Sequence, residues 1–217
     1  MTTIVREMLE TDIDEASCFF REHFMKHEPL LESHGKCLQA NANSNKRELD
    51  ESVVREGLSL VIVDQSRGDR IVGVAYAGVL SASELESSWN ELKHKKRTKY
   101  MEHIKYFLVN IKRNAQFFRR YDVSKALYLK VLVVDASMQR QGLGRRLVTA
   151  LIDVARAKGL ALLVATCTGC YSTKLMASVG MECVHSENYC DFKDDDGNIV
   201  FKPSAPHTKA SIMVLKL

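Results

Sequence analysis

The chain has 217 residues, 46% of them hydrophobic, which is enough for one sizeable core and short for two. A single domain over residues 1–217 is therefore expected. The net charge of +4, from 31 basic and 27 acidic residues, demands no nucleic-acid partner, and no apolar stretch reaches the ~18 residues of a membrane span.

In chain order, residues 3–8 read as a first strand. Residues 12–26 read as a helix, with Thr11 or Asp12 as N-cap and Ile13, Ala16, Phe20 and Phe24 on one side. Pro29 disfavours helical geometry at Glu28, so this helix should stop there and leave Glu28 in the turn beyond. Residues 41–45 read as a polar loop and residues 46–56 as helical. The apolar runs 58–63 and 71–80, split by Asp64-Gln65-Ser66-Arg67-Gly68-Asp69, read as a hairpin with a loop longer than two residues. Lys93 to Lys99 form a basic run that reads as a solvated helix end. From 97 to 121, Met101, Ile104, Leu108, Ile111, Ala115 and Phe118 recur three or four apart, which predicts one long amphipathic helix. A strand over 126–134 follows, then a glycine turn, a helix from Leu143 and a strand from Leu160. A short helix over 171–179 should end at Gly180. Strand-like pieces close the chain at 181–184 and 210–217. This order predicts a mixed α/β sheet.

The glycine turn carries a readable chemistry. Gln139-Arg140-Gln141-Gly142-Leu143-Gly144 sits between a strand and a helix start. The first N–H groups of a helix lack internal partners, the helix dipole adds positive charge there, and glycines let backbone approach an anion. The segment lacks the third glycine of a dinucleotide fingerprint and the G-K-[ST] ending of a P-loop. The remaining pattern, Q/R-x-x-G-x-G/A, resembles the pyrophosphate loop of the GNAT superfamily of N-acetyltransferases.

Further segments are similar to one GNAT subgroup, the insect arylalkylamine N-acetyltransferases. They are Phe24-Met25-Lys26-His27-Glu28-Pro29-Leu30, Cys167-Thr168-Gly169-Cys170-Tyr171-Ser172 and Val200-Phe201-Lys202-Pro203-Ser204-Ala205-Pro206-His207, together with Leu132-Val133-Val134-Asp135 before the loop. The resemblance implies the GNAT fold, a mixed and mostly antiparallel sheet flanked by helices. It implies direct acetyl transfer from acetyl-CoA to an arylalkylamine of the dopamine, serotonin, tryptamine or octopamine class. The alternatives are another small amine, polyamine or hydrazine-like, and a CoA-binding regulatory domain without turnover.

By the same resemblance, Glu28 is the general base and Ser172 is the hydroxyl beside the transferring sulfur. Ser172 also reads as the N-cap of the helix that follows. Thr168 stands where the subgroup usually has a second serine, and its methyl stiffens the side chain. Leu132, Val133 and Val134 should offer main chain to the acetyl and pantetheine part. Gln139, Arg140, Gln141, Gly142, Leu143, Gly144 and Arg145 should wrap the pyrophosphate. Met176 occupies the position where many GNAT enzymes carry a tyrosine acid, so no phenol acid is expected.

Arg6, Glu7 and Glu10 stand where a signal peptide would be apolar, so a cytoplasmic protein with reduced cysteines is expected. Cys167-x2-Cys170 and Cys183-x6-Cys190 invite a zinc reading, but the second spacing is too long, and no metal, nucleic-acid or membrane partner is expected.

Overall fold

The computed structural model describes residues 2–34 and 49–217. The elements in chain order are β1 (Thr3–Glu7), α1 (Ile13–His23), α2 (Pro29–Glu32), α3 (Glu51–Val54), β2 (Leu60–Asp64), β3 (Arg70–Ser81), α4 (Ala82–Leu92), α5 (Tyr100–Asn114), α6 (Phe117–Arg120), β4 (Lys125–Val134), α7 (Leu143–Ala157), β5 (Leu162–Cys167), α8 (Cys170–Ser178), β6 (Glu182–Asn188) and β7 (Lys209–Lys216). The strands form one seven-stranded sheet in the order β1-β2-β3-β4-β5-β7-β6. Every neighbouring pair is antiparallel except β4 and β5. This is the mixed, mostly antiparallel sheet expected. No helix among the described residues is long and apolar enough to cross a membrane.

Strand alternation builds the core on both sides of the sheet. Leu60, Ile62, Leu127, Leu129, Leu163, Ala165 and Met213 point to the side covered by α7, where they meet Leu143, Leu147, Leu151 and Ile152. The opposite side holds two separate clusters. One gathers Ala126, Leu162, Val164, Ile212 and Val214 beneath α2, α4 and α5. The other gathers Val61, Val63, Val74, Tyr76 and Val133 beneath α1 and α3. A seam runs between these two clusters. The chain crosses it after α1, where Phe24 packs on one cluster and Met25 and Leu30 on the other.

A β-bulge in β4 shapes the sheet at this seam. Tyr76 pairs with Val131 and Ala77 pairs with Leu129, so Lys130 is the extra residue. Tyr128 therefore faces the α5 cluster and Val131 the α1 cluster, on the same side of the sheet. Beyond the bulge, Leu132 and Val134 face α7. The parallel pairing of β4 with β5 covers only Leu127 to Leu129. Past that point the two strands part.

Several local expectations need correction. The helix expected over 97–121 is two helices. Gln116 takes a left-handed conformation, φ 47°, and separates α5 from α6. α4 was not anticipated, although Ser81 and Glu84 form a reciprocal capping box at its start. Asp12 precedes α1 but makes no cap bond to it. Its carboxylate accepts from Arg6 at 2.6 and 2.9 Å and from the Leu9 N–H at 2.7 Å. Of the helix expected over 46–56, one turn is present, Glu51–Val54. Residues 46–48 and the polar loop 41–45 lie outside the described residues. The 64–69 hairpin turn stands as expected, with Gly68 at φ 65°, and Gly180, at φ 92°, lies just past α8.

Candidate active site

Glu28 lies at the seam, between α1 and α2. Pro29 begins α2 and holds Glu28 extended, φ −76° and ψ 122°, so its side chain caps α2 by accepting the Leu31 N–H at 2.7 Å through Oε2. The sequence placed Glu28 beyond a helix end; it is also the start of a second helix. Only 8% of the residue is exposed. Oε1 is buried and has no well-aligned donor. The Thr168 hydroxyl faces the same carboxylate and favours its charged form. Burial is the larger influence, and it raises the Glu28 pKa above the ordinary carboxylate value despite Thr168 and the Leu30 and Leu31 backbone.

Thr168 and Gly169 connect β5 to α8. Gly169, not Ser172, is the N-cap of α8. Ser172 lies in the first turn, half-buried, and donates its hydroxyl to the Gly169 carbonyl at 2.9 Å. Gly169 allows a close approach here: a Cβ would stand 3.0 Å from His207 Nδ1 and 3.4 Å from Pro29 Cγ. The Cys170 N–H donates to His207 Nδ1 at 3.2 Å, which places the proton of the neutral ring on Nε2. Tyr189 donates its hydroxyl to the Thr168 carbonyl. Burial, reinforced by the nearby Glu28 charge, pushes the Tyr189 phenol pKa far up and keeps it protonated. The Tyr100 hydroxyl donates to the Leu30 carbonyl at 2.7 Å.

The C-terminal segment closes this assembly. Phe201 is buried and stacks on Phe192 with centroids 5.0 Å apart. The Lys202 N–H donates to Ser33 Oγ, and the Ser204 hydroxyl donates to Glu32 at 2.6 Å. Segments 24–30, 167–172 and 200–207, far apart in sequence, thus meet around one buried carboxylate. Sequence reasoning did not assign Tyr100 to this site; it named Tyr189 only as one of four candidate pocket aromatics, with Phe24, Tyr106 and Phe107, and gave His207 no role within its segment. Tyr189 carried no motif that distinguished it from a core aromatic. Met176, in place of a tyrosine acid, is buried at 2%.

Cys167 lies at the end of β5, 2% exposed, and burial pushes its thiol pKa up to about 12. At neutral pH it is a thiol and no nucleophile. Among the described residues no group of three or more His, Cys, Asp or Glu side chains is arranged to hold a metal.

The glycine loop lies at the far end of the opening between β4 and β5. Asp135 accepts the Ser137 N–H at 2.8 Å and its hydroxyl at 2.7 Å, turning the chain out of β4. Gln139, Arg140, Gln141 and Gly142 are exposed. Arg140 and Gly142 both have positive φ, 61° and 79°, and Gly142 is the N-cap of α7. Nothing lies within 4 Å of where a Gly142 Cβ would be, so the space over this helix start is open. A Gly144 Cβ would stand 3.1 Å from Leu175, which keeps α7 close to α8. The Leu143 side chain is buried, so this residue can offer only its N–H.

Val133 is likewise in the core, and the main chain of Leu132 to Val134 has no strand partner on the β5 side. Arg145 borders a groove of about 410 Å³ with Thr149, Asp153 and Arg156. Arg146 is bound to the Thr3 hydroxyl at 2.5 Å and carbonyl at 2.8 Å. A thioester carrier with an extended amide arm and a pyrophosphate fits these features: an open strand edge, then a helix start without side chains over it.

The acetyltransferase (GNAT) family model matches residues 28–180, from the buried carboxylate to the end of α8. The chain belongs to the acetyltransferase (GNAT) family. Its GNAT fold is similar to that of a mosquito arylalkylamine N-acetyltransferase like 5b, with a TM-score of 0.85 at 24% identity over 100% of each chain. It is similar to an agmatine N-acetyltransferase, a serine-to-alanine mutant in apo form, with a TM-score of 0.86 at 25% identity over 99% of each chain. It is also similar to the Drosophila melanogaster polyamine N-acetyltransferase that forms N-acetylagmatine, with a TM-score of 0.81 at 24% identity over 100% of each chain. GNAT enzymes take their acetyl group from acetyl-CoA. Both arylalkylamine and polyamine enzymes thus share this fold.

Proposed function

We propose that this GNAT domain acetylates arylalkylamines by direct transfer, with Glu28 as general base. The observation that carries the proposal is the Glu28 carboxylate, buried, anchored through one oxygen and left without an aligned donor on the other. An alkylammonium has an ordinary pKa near ~10.4 and must lose a proton before it attacks a thioester. A carboxylate whose pKa is raised is a stronger base for that proton, and Oε1 is the atom without a partner that would take it, directly or through one water.

Thr168 stands beside the same carboxylate, where its hydroxyl steadies the charged form before reaction. Ser172 has a rotatable hydroxyl that can turn from the Gly169 carbonyl toward a departing sulfur. Acetyl-CoA supplies the acetyl thioester. Leu132, Val133 and Val134 are assigned to its arm through main-chain groups. The loop from Gln139 to Arg145, through Arg140, Gln141, Gly142, Leu143 and Gly144, is assigned to its pyrophosphate. The inert Cys167 supports attack by the amine itself rather than through an acetyl-cysteine.

The aryl preference is supported by the aromatics of the two clusters that flank the seam, Phe24 and Tyr76 with one and Tyr100 and Tyr128 with the other. The similarity to agmatine and polyamine enzymes favours a second reading, a small aliphatic polycation as acceptor. A thiol-release assay across dopamine, tryptamine, agmatine and spermidine separates them. Highest kcat/KM for the aromatic amines is expected. A clear preference for agmatine or spermidine overturns the aryl reading. Tight acetyl-CoA binding with no release for any amine points to a regulatory domain.

A further inference from the structure

Two ammonium groups stand along the seam and are not used by the proposed chemistry. Lys130 is the bulge residue of β4, and its Nζ lies 5.5 Å from the centroid of the Tyr76 ring. Lys112, from α5, places its Nζ 4.7 Å from the centroid of the Tyr128 ring. The two rings belong to the two clusters that border the seam, so a cation stands at each wall. The Tyr128 hydroxyl is held at 2.9 Å from Thr166 Oγ1, which fixes its ring across the parting of β4 and β5. Lys130 keeps part of its surface in solvent, and desolvation of the rest is the main influence lowering its pKa, with a smaller contribution from the like charge of Lys112.

Carboxylates nearby are each engaged locally. Glu56 accepts the Val79 N–H at 2.6 Å, Asp50 accepts Ser52 at 2.8 Å, and Glu84 accepts the Ser81 N–H at 2.8 Å. Their charges favour the ammonium form of Lys130, yet no carboxylate among the described residues lies within 4 Å of it.

The distance suits a single acceptor. Lys130 is one residue past the last paired rung, Leu129 with Ala165, and Thr168 is three residues past it. At ~3.3 Å per residue and ~4.8 Å between strands, the two backbones are on the order of 10 Å apart. A small amine that puts its nitrogen at Glu28 and lies along the seam toward β4 would bring its far end to the lysines.

We infer that Lys130, seconded by Lys112, sets acceptor choice by charge, rejecting amines with a second cation and favouring those whose far end is a neutral or anionic hydrogen-bond acceptor. This rests on the acceptor occupying the Glu28 seam. An aryl hydroxyl oxygen meets an ammonium favourably there, whereas a guanidinium or second ammonium meets like charge.

The test compares wild type, Lys130→Met and Lys130→Glu, with acetyl-CoA affinity and thermal unfolding measured for each. The acceptors are tyramine, phenylethylamine and agmatine. Phenylethylamine kcat/KM should change less than threefold in both variants. The agmatine-to-phenylethylamine ratio should rise at least tenfold in Lys130→Glu, with a smaller rise in Lys130→Met. Tyramine should lose its advantage over phenylethylamine in both. An unchanged ratio in a folded Lys130→Glu that still binds acetyl-CoA overturns the inference. So does a ratio that moves only in Glu56→Gln, which would make that carboxylate the selector. Calorimetric binding of the same amines to the CoA complex reads the preference without turnover. A shifted binding preference with no acetylation would therefore sink the proposed activity and leave the lysine assignment standing.

Discussion

Glu28 combines two roles that oppose each other. As an N-cap it stabilises α2, and its charge there is favoured by the helix start. As a buried carboxylate with one oxygen unmatched, it stores a penalty. Glu28→Gln keeps the shape and a capping oxygen but removes the basicity. Its kcat at neutral pH should fall by about 10²–10⁴, with acetyl-CoA affinity nearly unchanged. The deficit should shrink at high pH, where more amine is already deprotonated. A wild-type kcat in this variant, with chemistry shown to limit the rate, would return Glu28 to a capping role.

The same substitution reports on stability. The folded pKa of Glu28 is raised, so between the ordinary carboxylate pKa and that raised value the folded state holds a proton the unfolded chain has lost. Stability from this group is therefore present at low pH and declines as pH rises through the folded pKa. Glu28→Gln should unfold at a higher temperature than wild type at neutral pH, and the gain should vanish below the ordinary carboxylate pKa. A gain that grew as pH fell would contradict the desolvated state described above. Pro29 made the backbone of Glu28 legible in sequence. The burial of its carboxylate was not, because it depends on Tyr189 and Thr168 reaching it from distant segments.

Elements whose own caps and periodicity agree were legible; those broken by a single dihedral were not. The strand–glycine–helix unit of β4, its loop and α7 was readable because Gly142 and the helical stripe from Leu143 mark it locally. Gly142→Val puts a β-branched residue at φ 79°, costing roughly 1–2 kcal/mol of stability. No protein atom lies where the new Cβ would go, so its further effect falls on the ligand. Acetyl-CoA affinity should weaken by more than tenfold in a folded variant. Unchanged affinity, measured calorimetrically, would move the pyrophosphate site elsewhere.

The break between α5 and α6 escaped the periodicity because Ala115 and Phe118 keep the apolar spacing through the turn. Gln116 bears a left-handed strain that glycine avoids, so Gln116→Gly should raise stability by up to about 1 kcal/mol in denaturant titration. A loss of stability would show that the glutamine side chain outweighs its backbone. α4 was announced by Ser81 and Glu84, a capping signal that a search for apolar periodicity alone passes over.

At the level of the whole molecule, the class of fold followed from the order of strands and helices, and the resemblance extended to segments that the structure gathers in space. Chain order could not show why they gather. Two apolar clusters on one side of a sheet leave a boundary, and strands that part beyond three paired residues leave an opening through the sheet at that boundary. The boundary presents the carboxylate on one side of the sheet, while the opening leads to the start of α7 on the other. On the proposed assignment, amine and thioester carrier approach from opposite directions and meet within the fold. No single stretch of sequence encodes that meeting point, which is why Tyr100 carried no local mark and His207, though inside a recognisable segment, carried no role.

The extra residue at Lys130 makes β4 a strand read in two frames. Up to Leu129 even-numbered side chains face the seam; from Val131 onward odd-numbered ones do. Removing Lys130 altogether would leave an unbroken alternation, with Tyr128, Val131 and Val133 still on the seam side and Leu129, Leu132 and Val134 still toward α7. Keeping Lys130 while ironing out the bulge would do the opposite. Leu132 and Val134 would turn toward the seam, and Val131 and Val133 would turn toward α7. The bulge is thus what lets this strand carry one more side chain than its pleat has room for, and that spare side chain is an ammonium.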